Sequence, residues 1–300
     1  MEVTLLGTGD TTGTPTPGCD CDTCELARNP DDDLLRRMRD RGLDVNRERG
    51  VERSRFSVHV HNERTGQSLL VDASPDFRQQ MLANDVSLPD AILITHVHFD
   101  HLDGLGNVYR LLGPRGGGDA PVPVYAANAV DEVTGESVAD TINSRYHYLD
   151  SIAVNPRSPL EPFEAAGFRV TLVPVEHPPL SCYGLAIEDP ETGAKLSLSG
   201  DTNYAIPDES RAVLDDPDLL LADGIVPAHL CAHHPLGGRH EDDDGIPRTF
   251  GTKHMTREGA LALAEDLNAT EVRLVHVAHY YPAGEAFEEP LAVDGERFSL

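Results

Sequence analysis

A dense cluster of potential metal ligands, residues 95–102 (THVHFDHL), constrains this 300-residue chain more than any other feature. Its ligand side chains are His96, His98, Asp100 and His101. The cluster directly follows an apolar run, residues 91–94 (AILI), which predicts a buried strand. Imidazole and carboxylate groups are common ligands of transition metals. The HxHxDH spacing therefore predicts a metal site at the rim of a sheet, in preference to a polar loop with chance histidines.

The same spacing indicates two ions. His96 and His98 are two residues apart and can reach one ion, whereas Asp100 and His101 follow a turn and can reach a second. Two ions roughly 3.5–4 Å apart are the usual apparatus for splitting phosphate esters. Such a pair needs more ligands, and three candidates each follow another short strand-like run. They are His177, Asp201 and His276.

The order of these side chains resembles the ligand order of the metallo-β-lactamase superfamily. The resemblance extends from residues 6–9 (LGTG) to His279. It implies an α/β fold, an αβ/βα four-layer sandwich, with the metals in a groove at one edge of the paired sheets. It also implies that Asp201 bridges the two ions and that the histidines are divided between them.

A second cluster follows a glycine- and proline-rich loop at residues 13–18 and completes a cysteine-rich loop over 13–24. Its thiols are Cys19, Cys21 and Cys24. Three thiolates in a CxCxxC spacing suit a soft ion, and a structural zinc site requires a fourth ligand. A disulfide among them is the alternative, disfavoured because no secretory segment precedes them and a reducing compartment is expected. Cys182 and Cys231 stand alone and are expected to be small buried residues.

These features together resemble the phosphoribosyl cyclic phosphodiesterase group of the superfamily. The shared segments include residues 6–9, the CxCxxC loop, residues 70–78 (LVDASPDFR) and residues 275–279 (VHVAH). The resemblance implies that His279 is the fourth ligand of the structural zinc. It also implies that His254 acts in catalysis without binding metal, although alone it would be taken for a surface histidine at a helix start. A protein of pyrroloquinoline quinone biosynthesis has a similar cysteine loop.

The predicted function is hydrolysis of a small anionic phosphodiester, most simply a cyclic one, by a hydroxide that two divalent ions (zinc or manganese) activate. Asp100 is assigned to catalysis with His254 as well as to the metal. Asp72 is predicted to orient a ligand histidine. Two alternatives stay open: a tRNA 3′-end endonuclease of the same fold, and a non-hydrolytic protein of cofactor biosynthesis.

Length and charge limit the partners. Three hundred residues suffice for one domain over residues 1–300. The net charge is −27, and lysine occurs only at Lys195 and Lys253. Such an acidic surface is typical of proteins from salt-loving microbes, and it disfavours nucleic acid because the phosphate backbone would be repelled. No apolar run reaches about 18 residues, so no membrane span is expected. A cytoplasmic location is predicted, and a homodimer is left open.

Several segments are assigned by pattern. The charged insertion over 31–53 is predicted to be a solvated surface segment with a short helix at 34–38, and its end at 53–55 to meet substrate phosphate. His59 and His61 are predicted to be exposed strand positions. A helix is expected over 104–112. Residues 227–252 are expected to roof the groove, and the loop histidines there are His229, His233, His234 and His240.

The charge predicts that salt stabilises the fold. With a net charge of −27, self-repulsion in the compact state should weaken as ions screen it. Thermal melts in low and in molar potassium chloride should therefore give a higher Tm at high salt. A Tm that does not rise with salt would contradict the halophilic interpretation.

Overall fold

Two sheets pack face to face in the computed structural model, which describes residues 1–45, 47, 50–107, 121–237 and 244–300. The first sheet has the order β15-β1-β2-β3-β4-β5-β6. Its strands are β1 (Glu2–Gly7), β2 (Ser57–Asn62), β3 (Gln67–Val71), β4 (Ala91–Ile94), β5 (Val122–Ala127), β6 (Ile152–Arg157) and β15 (Arg297–Ser299). Strands β3 to β6 run parallel, and β1, β2 and β15 complete the sheet with antiparallel pairs.

The second sheet has the order β14-β11-β10-β9-β8-β7. Its strands are β7 (Phe163–Ala165), β8 (Phe168–Val175), β9 (Cys182–Glu188), β10 (Lys195–Leu198), β11 (Leu219–Asp223) and β14 (Glu271–Val275). Strands β10, β11 and β14 are parallel to one another. A separate short hairpin joins β12 (Thr249–Phe250) to β13 (His254–Met255).

Helices lie outside both sheets. The helices of the described residues are α1 (Asp22–Arg28), α2 (Asp32–Asp40), α3 (Phe77–Asn84), α4 (Phe99–Leu102), α5 (Val138–Arg145), α6 (Asp208–Leu214), α7 (Arg257–Asp266) and a 3₁₀ turn (Ala228–Ala232). Thr256 caps α7 by accepting a hydrogen bond from the Gly259 N–H. None of the described helices is long and apolar enough to cross a membrane.

Two hydrophobic clusters hold the layers together. One lies between the sheets and includes Val58 and Ile92 from the first sheet and Leu172 and Leu196 from the second. The other joins the outer face of the second sheet to its helices. Its members include Leu34, Met38, Leu214, Leu220, Leu263 and Leu274. A β strand alternates its side chains between two faces, so the apolar strands of the second sheet can serve both clusters. The predicted αβ/βα sandwich is therefore confirmed.

The parallel strands decide where the site forms. Carboxyl ends of parallel strands meet at one edge of a sheet, where ligands commonly bind in α/β folds. Strand β4 ends at Ile94, just before the HxHxDH cluster, and β14 ends at Val275, just before His276. The predicted runs before His177 and Asp201 are likewise strands β8 and β10.

The prediction of a solvated insertion over 31–53 is wrong in two places. Helix α2 buries an apolar stripe that includes Leu34 and Met38 against the second sheet. Arg53 is fully buried: its guanidinium lies 4.7 Å from the centre of the Phe287 ring, and its Nε donates to the Ala292 carbonyl at 2.6 Å. Arg53 therefore cannot meet substrate phosphate. Its partners lie more than 200 residues away in sequence, beyond the reach of a local pattern.

Two smaller expectations also change. His59 is buried, not exposed, because β2 lies between β1 and β3 and its ring packs near Ser87, 3.4 Å from that hydroxyl. Burial lowers the pKa of His59 to about 4. Residues 108–112 of the segment for which a helix is expected, 104–112, lie outside the described residues, and so does His240.

Candidate metal centre

The loops after four strands bring the seven predicted ligands into one groove. These loops follow β4, β8, β10 and β14. Their side chains form overlapping groups in which potential ligand atoms lie within 4.8 Å of one another. The groups are His96–His98–His177, His96–His101–Asp201 and Asp100–His101–His276.

The first half of the groove is made of three imidazoles. His96 Nε2 and His177 Nε2 lie 3.0 and 3.2 Å from His98 Nδ1. His177 is held from behind, because its Nδ1 donates to the Lys253 carbonyl at 3.0 Å. That bond leaves the other nitrogen of His177 free for a metal, the arrangement usual for a ligating histidine.

The second half adds the carboxylates. Asp100 Oδ2 lies 3.5 Å from His101 Nε2 and 3.6 Å from His276 Nε2. Asp201 Oδ2 lies 3.1 Å from His276 Nε2, 3.3 Å from His101 Nε2 and 3.8 Å from His96 Nε2. Asp201 thus contacts both halves, which is the position that a bridging ligand requires.

Unpaired nitrogens show that these residues suit a metal. Within the described structure, His101 Nε2 and His276 Nε2 are buried and make no hydrogen bond, although carboxylate oxygens lie close to both. A buried polar atom without a partner costs free energy, so native proteins rarely leave one. A divalent cation would give both nitrogens a partner and would also neutralise the carboxylates. The donor set therefore fits divalent metal ions.

The electrostatics of the groove favour positive charge. Burial would raise the pKa of Asp201, but the charges of His101 and His276 hold it well below its usual range. Burial would likewise lower the pKa of His276, but the Asp201 charge raises it to about 9. In the absence of an ion, protons on histidines offset the buried carboxylates. Metal ions would supply the same charge in their place.

Asp72 lies where the sequence predicts a carboxylate that orients a ligand. Its Oδ2 is 2.6 Å from His101 Nδ1, which turns His101 Nε2 toward the groove. The same carboxylate accepts hydrogen bonds from the Thr95 N–H and hydroxyl, both at 2.8 Å. Thr95 in turn lies 3.0 Å from His96 Nδ1, so Asp72 supports two ligands at once.

His254 belongs to the same groove but has a different partner. Its Nδ1 lies 2.8 Å from Asp223 Oδ2, and its ring stacks on His276 with centres 4.9 Å apart and planes 13° apart. It also forms a ligand-distance group with His177 and Asp201. A carboxylate partner is typical both of a catalytic histidine and of a metal ligand, so the contacts alone leave both roles available.

Two residues that contribute to the groove were not predicted from the sequence. Asp223 ends β11, another apolar run that finishes in a polar residue, and that repeated pattern could have identified it. Thr11 donates its hydroxyl to Asp100 Oδ2 at 2.9 Å. It lies in a loop of small polar residues and gave no sequence signal. Among the roof histidines, His229 and His233 are exposed, and His234 packs against Phe250.

The cysteine loop forms a separate potential site. Cys19 Sγ and Cys21 Sγ each lie 3.4 Å from His279 Nδ1, and Cys24 completes a group within 4.8 Å. Ligands 2.0–2.3 Å from a tetrahedral zinc lie roughly 3.5 Å apart, so these spacings fit zinc. All three thiols are free of disulfides. A hydrogen bond from the Cys21 backbone lowers the pKa of Cys19, whereas burial raises that of Cys24 to about 11.

Comparison with known proteins agrees with this geometry. A family model described as a beta-lactamase superfamily domain matches residues 67–277, more than half of the chain. The chain belongs to the metallo-β-lactamase superfamily. The family predicted from the sequence is thereby confirmed. This fold implies divalent metals in the groove, and the chain is a metallo-β-lactamase-fold hydrolase.

Three relatives show which members of the superfamily the chain is similar to. The solved structure of a diphosphatase from the PhnP family has a TM-score of 0.71 and 27% identity, and the match covers 99% of this chain and 96% of that one. Coenzyme PQQ synthesis protein B of Methylobacterium radiotolerans is 30% identical over 94% of this chain and 91% of that protein. The likeness to the PhnP family supports the phosphoribosyl cyclic phosphodiesterase group.

An octanoyltransferase of Porphyromonas gingivalis is 27% identical over 94% of this chain. The chain spans only 47% of that relative, about half of its length. The name octanoyltransferase therefore refers to the whole of that longer protein and not only to the part that this chain matches.

From the geometry of the cysteine site we predict a metal ion that binds there independently of the ions in the groove. Elemental analysis of protein purified without chelator should find close to three ions per chain. Cys21→Ser should lose one zinc and roughly 2 kcal/mol or more of unfolding free energy, because folding of such a loop is coupled to its metal. The groove metals should remain. Cys231→Ser, at a buried cysteine outside the cluster, should keep all three ions. Full metal content and an unchanged Tm in Cys21→Ser would exclude a structural zinc.

Proposed function

We propose that the protein hydrolyses a small phosphodiester, in the first instance a cyclic one of the phosphoribosyl cyclic phosphate kind. One observation carries this proposal. The His254–Asp223 pair, a candidate proton donor, lies in the same groove as seven potential metal ligands and stacks on one of them. Phosphodiester cleavage needs both features: charge neutralisation at phosphorus and a proton for the leaving oxygen.

We infer two ions in the groove. Asp201 would be the ligand that they share. The first ion would be held with His96, His98 and His177, and the second with Asp100, His101 and His276. When bound, divalent ions such as Zn²⁺ or Mn²⁺ supply Lewis acidity, which polarises phosphoryl oxygens and lowers the pKa of water. Thr11 and Asp72 keep the ligands Asp100 and His101 oriented through hydrogen bonds of 2.9 and 2.6 Å.

His254 would deliver the proton. Asp223 is buried and pairs with His254 Nδ1, so it fixes the orientation of the ring. The other ring nitrogen, Nε2, would then transfer its proton to the oxygen that leaves phosphorus, and Asp223 would keep the ring in place as its charge changes. The Thr202 N–H donates to the same Asp223 oxygen at 3.1 Å and holds the carboxylate itself.

The acidity of the chain supports a small substrate. At a net charge of −27, a long polyanion would be repelled over much of the surface, whereas a small diester need only reach the groove. The PhnP-family relative is a diphosphatase, an enzyme that also cleaves a phosphate linkage. A strained cyclic diester requires few contacts beyond the phosphate, since ring opening itself is favourable.

A substrate panel tests the proposal. Metal-reconstituted protein should cleave bis(p-nitrophenyl) phosphate and a ribose cyclic phosphate, but neither a β-lactam nor a thioester. Turnover of thioesters without any phosphodiester would reject the proposal. Absence of hydrolysis with every diester would instead favour a role in cofactor biosynthesis, and a strong preference for tRNA 3′ ends would favour the endonuclease.

The variant His254→Ala tests whether His254 acts in proton transfer or binds a metal ion. His254→Ala should retain both groove metals and lose roughly 10²–10⁴-fold in kcat, the scale of general acid catalysis. The loss should shrink for substrates with good leaving groups, which need no proton. His96→Ala should lose metal and activity together, and His229→Ala, at an exposed position of the roof, should lose neither. Loss of a groove metal in His254→Ala would make His254 a ligand and contradict this assignment.

A further inference from the structure

Asp223 carries one carboxylate oxygen that the proposed proton transfer does not use. Its Oδ2 lies 2.8 Å from His254 Nδ1 and accepts a hydrogen bond from the Thr202 N–H at 3.1 Å. Its Oδ1 is buried and makes no hydrogen bond with any described residue. A buried carboxylate oxygen without a partner is costly, and in native proteins an ordered water commonly supplies the partner.

His276 has a matching unpaired atom. Its Nε2 faces the groove, 3.1 Å from Asp201 Oδ2, whereas its Nδ1 is buried and has no hydrogen-bond partner among the described residues. A histidine that ligates a metal through one nitrogen carries a proton on the other, and it almost always donates that proton to a carboxylate, a carbonyl or water. His276 therefore requires an acceptor behind its ring that no described residue supplies directly.

Two neighbouring strands bring Asp223 and His276 together. Asp223 is the last residue of β11 and pairs in parallel register with Val275, the last residue of β14. The Gly224 N–H then donates to the Val275 carbonyl at 3.0 Å, which holds the two chains together where the strands end. Asp223 and His276 thus line one cavity beneath the groove.

The cavity has the size and the lining that one water molecule needs. The space open to the centre of a water molecule is about 10 Å³, roughly the requirement for a single water. A buried water also needs at least two polar partners. Asp223 Oδ1 would accept and His276 Nδ1 would donate. The rest of the wall is largely apolar and includes Phe56, Leu198, Leu221 and Val275.

The other carboxylates of the cavity wall are already engaged. Asp72 Oδ1 accepts from the Thr95 N–H, and its Oδ2 accepts from the Thr95 hydroxyl and lies 2.6 Å from His101 Nδ1. Asp201 directs its Oδ2 at the ligand nitrogens of His276 and His101. Among the described residues that line the cavity, Asp223 therefore offers the buried carboxylate oxygen that lacks a partner.

We propose that a buried water joins Asp223 Oδ1 to His276 Nδ1, so that Asp223 positions a metal ligand as well as the proton donor. The His276 Nδ1–H donates to the water, and the water donates to Asp223. Asp223 is then a positioning residue for both His254 and His276, and one carboxylate fixes their relative placement. This inference rests on the roles given to the metal ligands and to His254 in the proposed function, and it adds a part for Asp223 in holding metal.

Metal affinity in a set of variants tests the inference without turnover. Asp223→Ala should weaken Zn²⁺ binding in the groove by up to roughly 100-fold, as expected when the partner of a ligating histidine is removed. Competition with a chelator, after the cysteine site is loaded, measures this affinity. His254→Ala should bind Zn²⁺ as the wild type does, and the double variant should be as weak as Asp223→Ala. Glu164→Ala, which removes an exposed carboxylate on β7, should match the wild type.

Asp223→Asn separates positioning from a general loss of structure. Its amide keeps a hydrogen bond to the water but loses the charge, so its affinity should fall by only about tenfold, at an unchanged Tm. Wild-type affinity in Asp223→Ala, or a loss that disappears when His254 is also replaced, would overturn the inference. If Asp223→Ala does not fold, wild-type affinity in Asp223→Asn overturns it.

A crystal structure of the metal-loaded protein tests the water itself. One water should lie at hydrogen-bonding distance, about 2.7–3.2 Å, from both His276 Nδ1 and Asp223 Oδ1. A direct contact between the two side chains, or a cavity that contains no water, would reject the inference. If the groove binds no ion, the proposed function fails, and a crystal structure of the metal-free protein still decides whether a water joins these two residues.

Discussion

Asp201 imposes the constraint on which the groove depends, because it holds a negative charge where little water can reach it. The carboxylate is buried, and the nitrogens of His276 and His101 lie 3.1 and 3.3 Å from it. A buried charge is costly unless it is paired, so the surrounding strand ends must supply partners that can be positive or can hold a cation. Metal ions bound here would therefore also stabilise the fold of this edge, because the ligand-bearing loops converge on a charge that only cations satisfy.

The same edge carries strained backbone at two residues of the groove. Asp72 and His276 both have φ of 57°, a left-handed conformation that costs other residues than glycine on the order of 1 kcal/mol or more. Directly after His276, the Val277 N–H donates to the Thr8 carbonyl at 3.0 Å and anchors this segment. Thr8 leads within three residues to Thr11, which contacts Asp100. The strand that begins the chain thus links the loop of the cysteine site to a groove ligand.

The sequence predicted those features of the fold and the site that short-range patterns determine. Each ligand follows an apolar run, so strand ends and ligands were recognised together, and the layered fold followed from the family resemblance. Burial by distant partners was missed: Arg53 lies in a charged segment but stacks on Phe287. Thr11 and Asp223 were also missed, because one hydroxyl or one carboxylate has no motif of its own. Their roles arise only when separate loops meet at Asp100 and His254.

Charge connects the surface of the chain to the choice of substrate. At physiological ionic strength, electrostatic effects between exposed charges fade over about 8 Å. A nucleic acid strand would have to lie against acidic surface along many such lengths, and each phosphate would add repulsion. A small diester crosses that surface once and then meets a groove whose potential bound metal ions would reverse. Local positive charge in an acidic chain thus favours a compact anionic substrate over a long one.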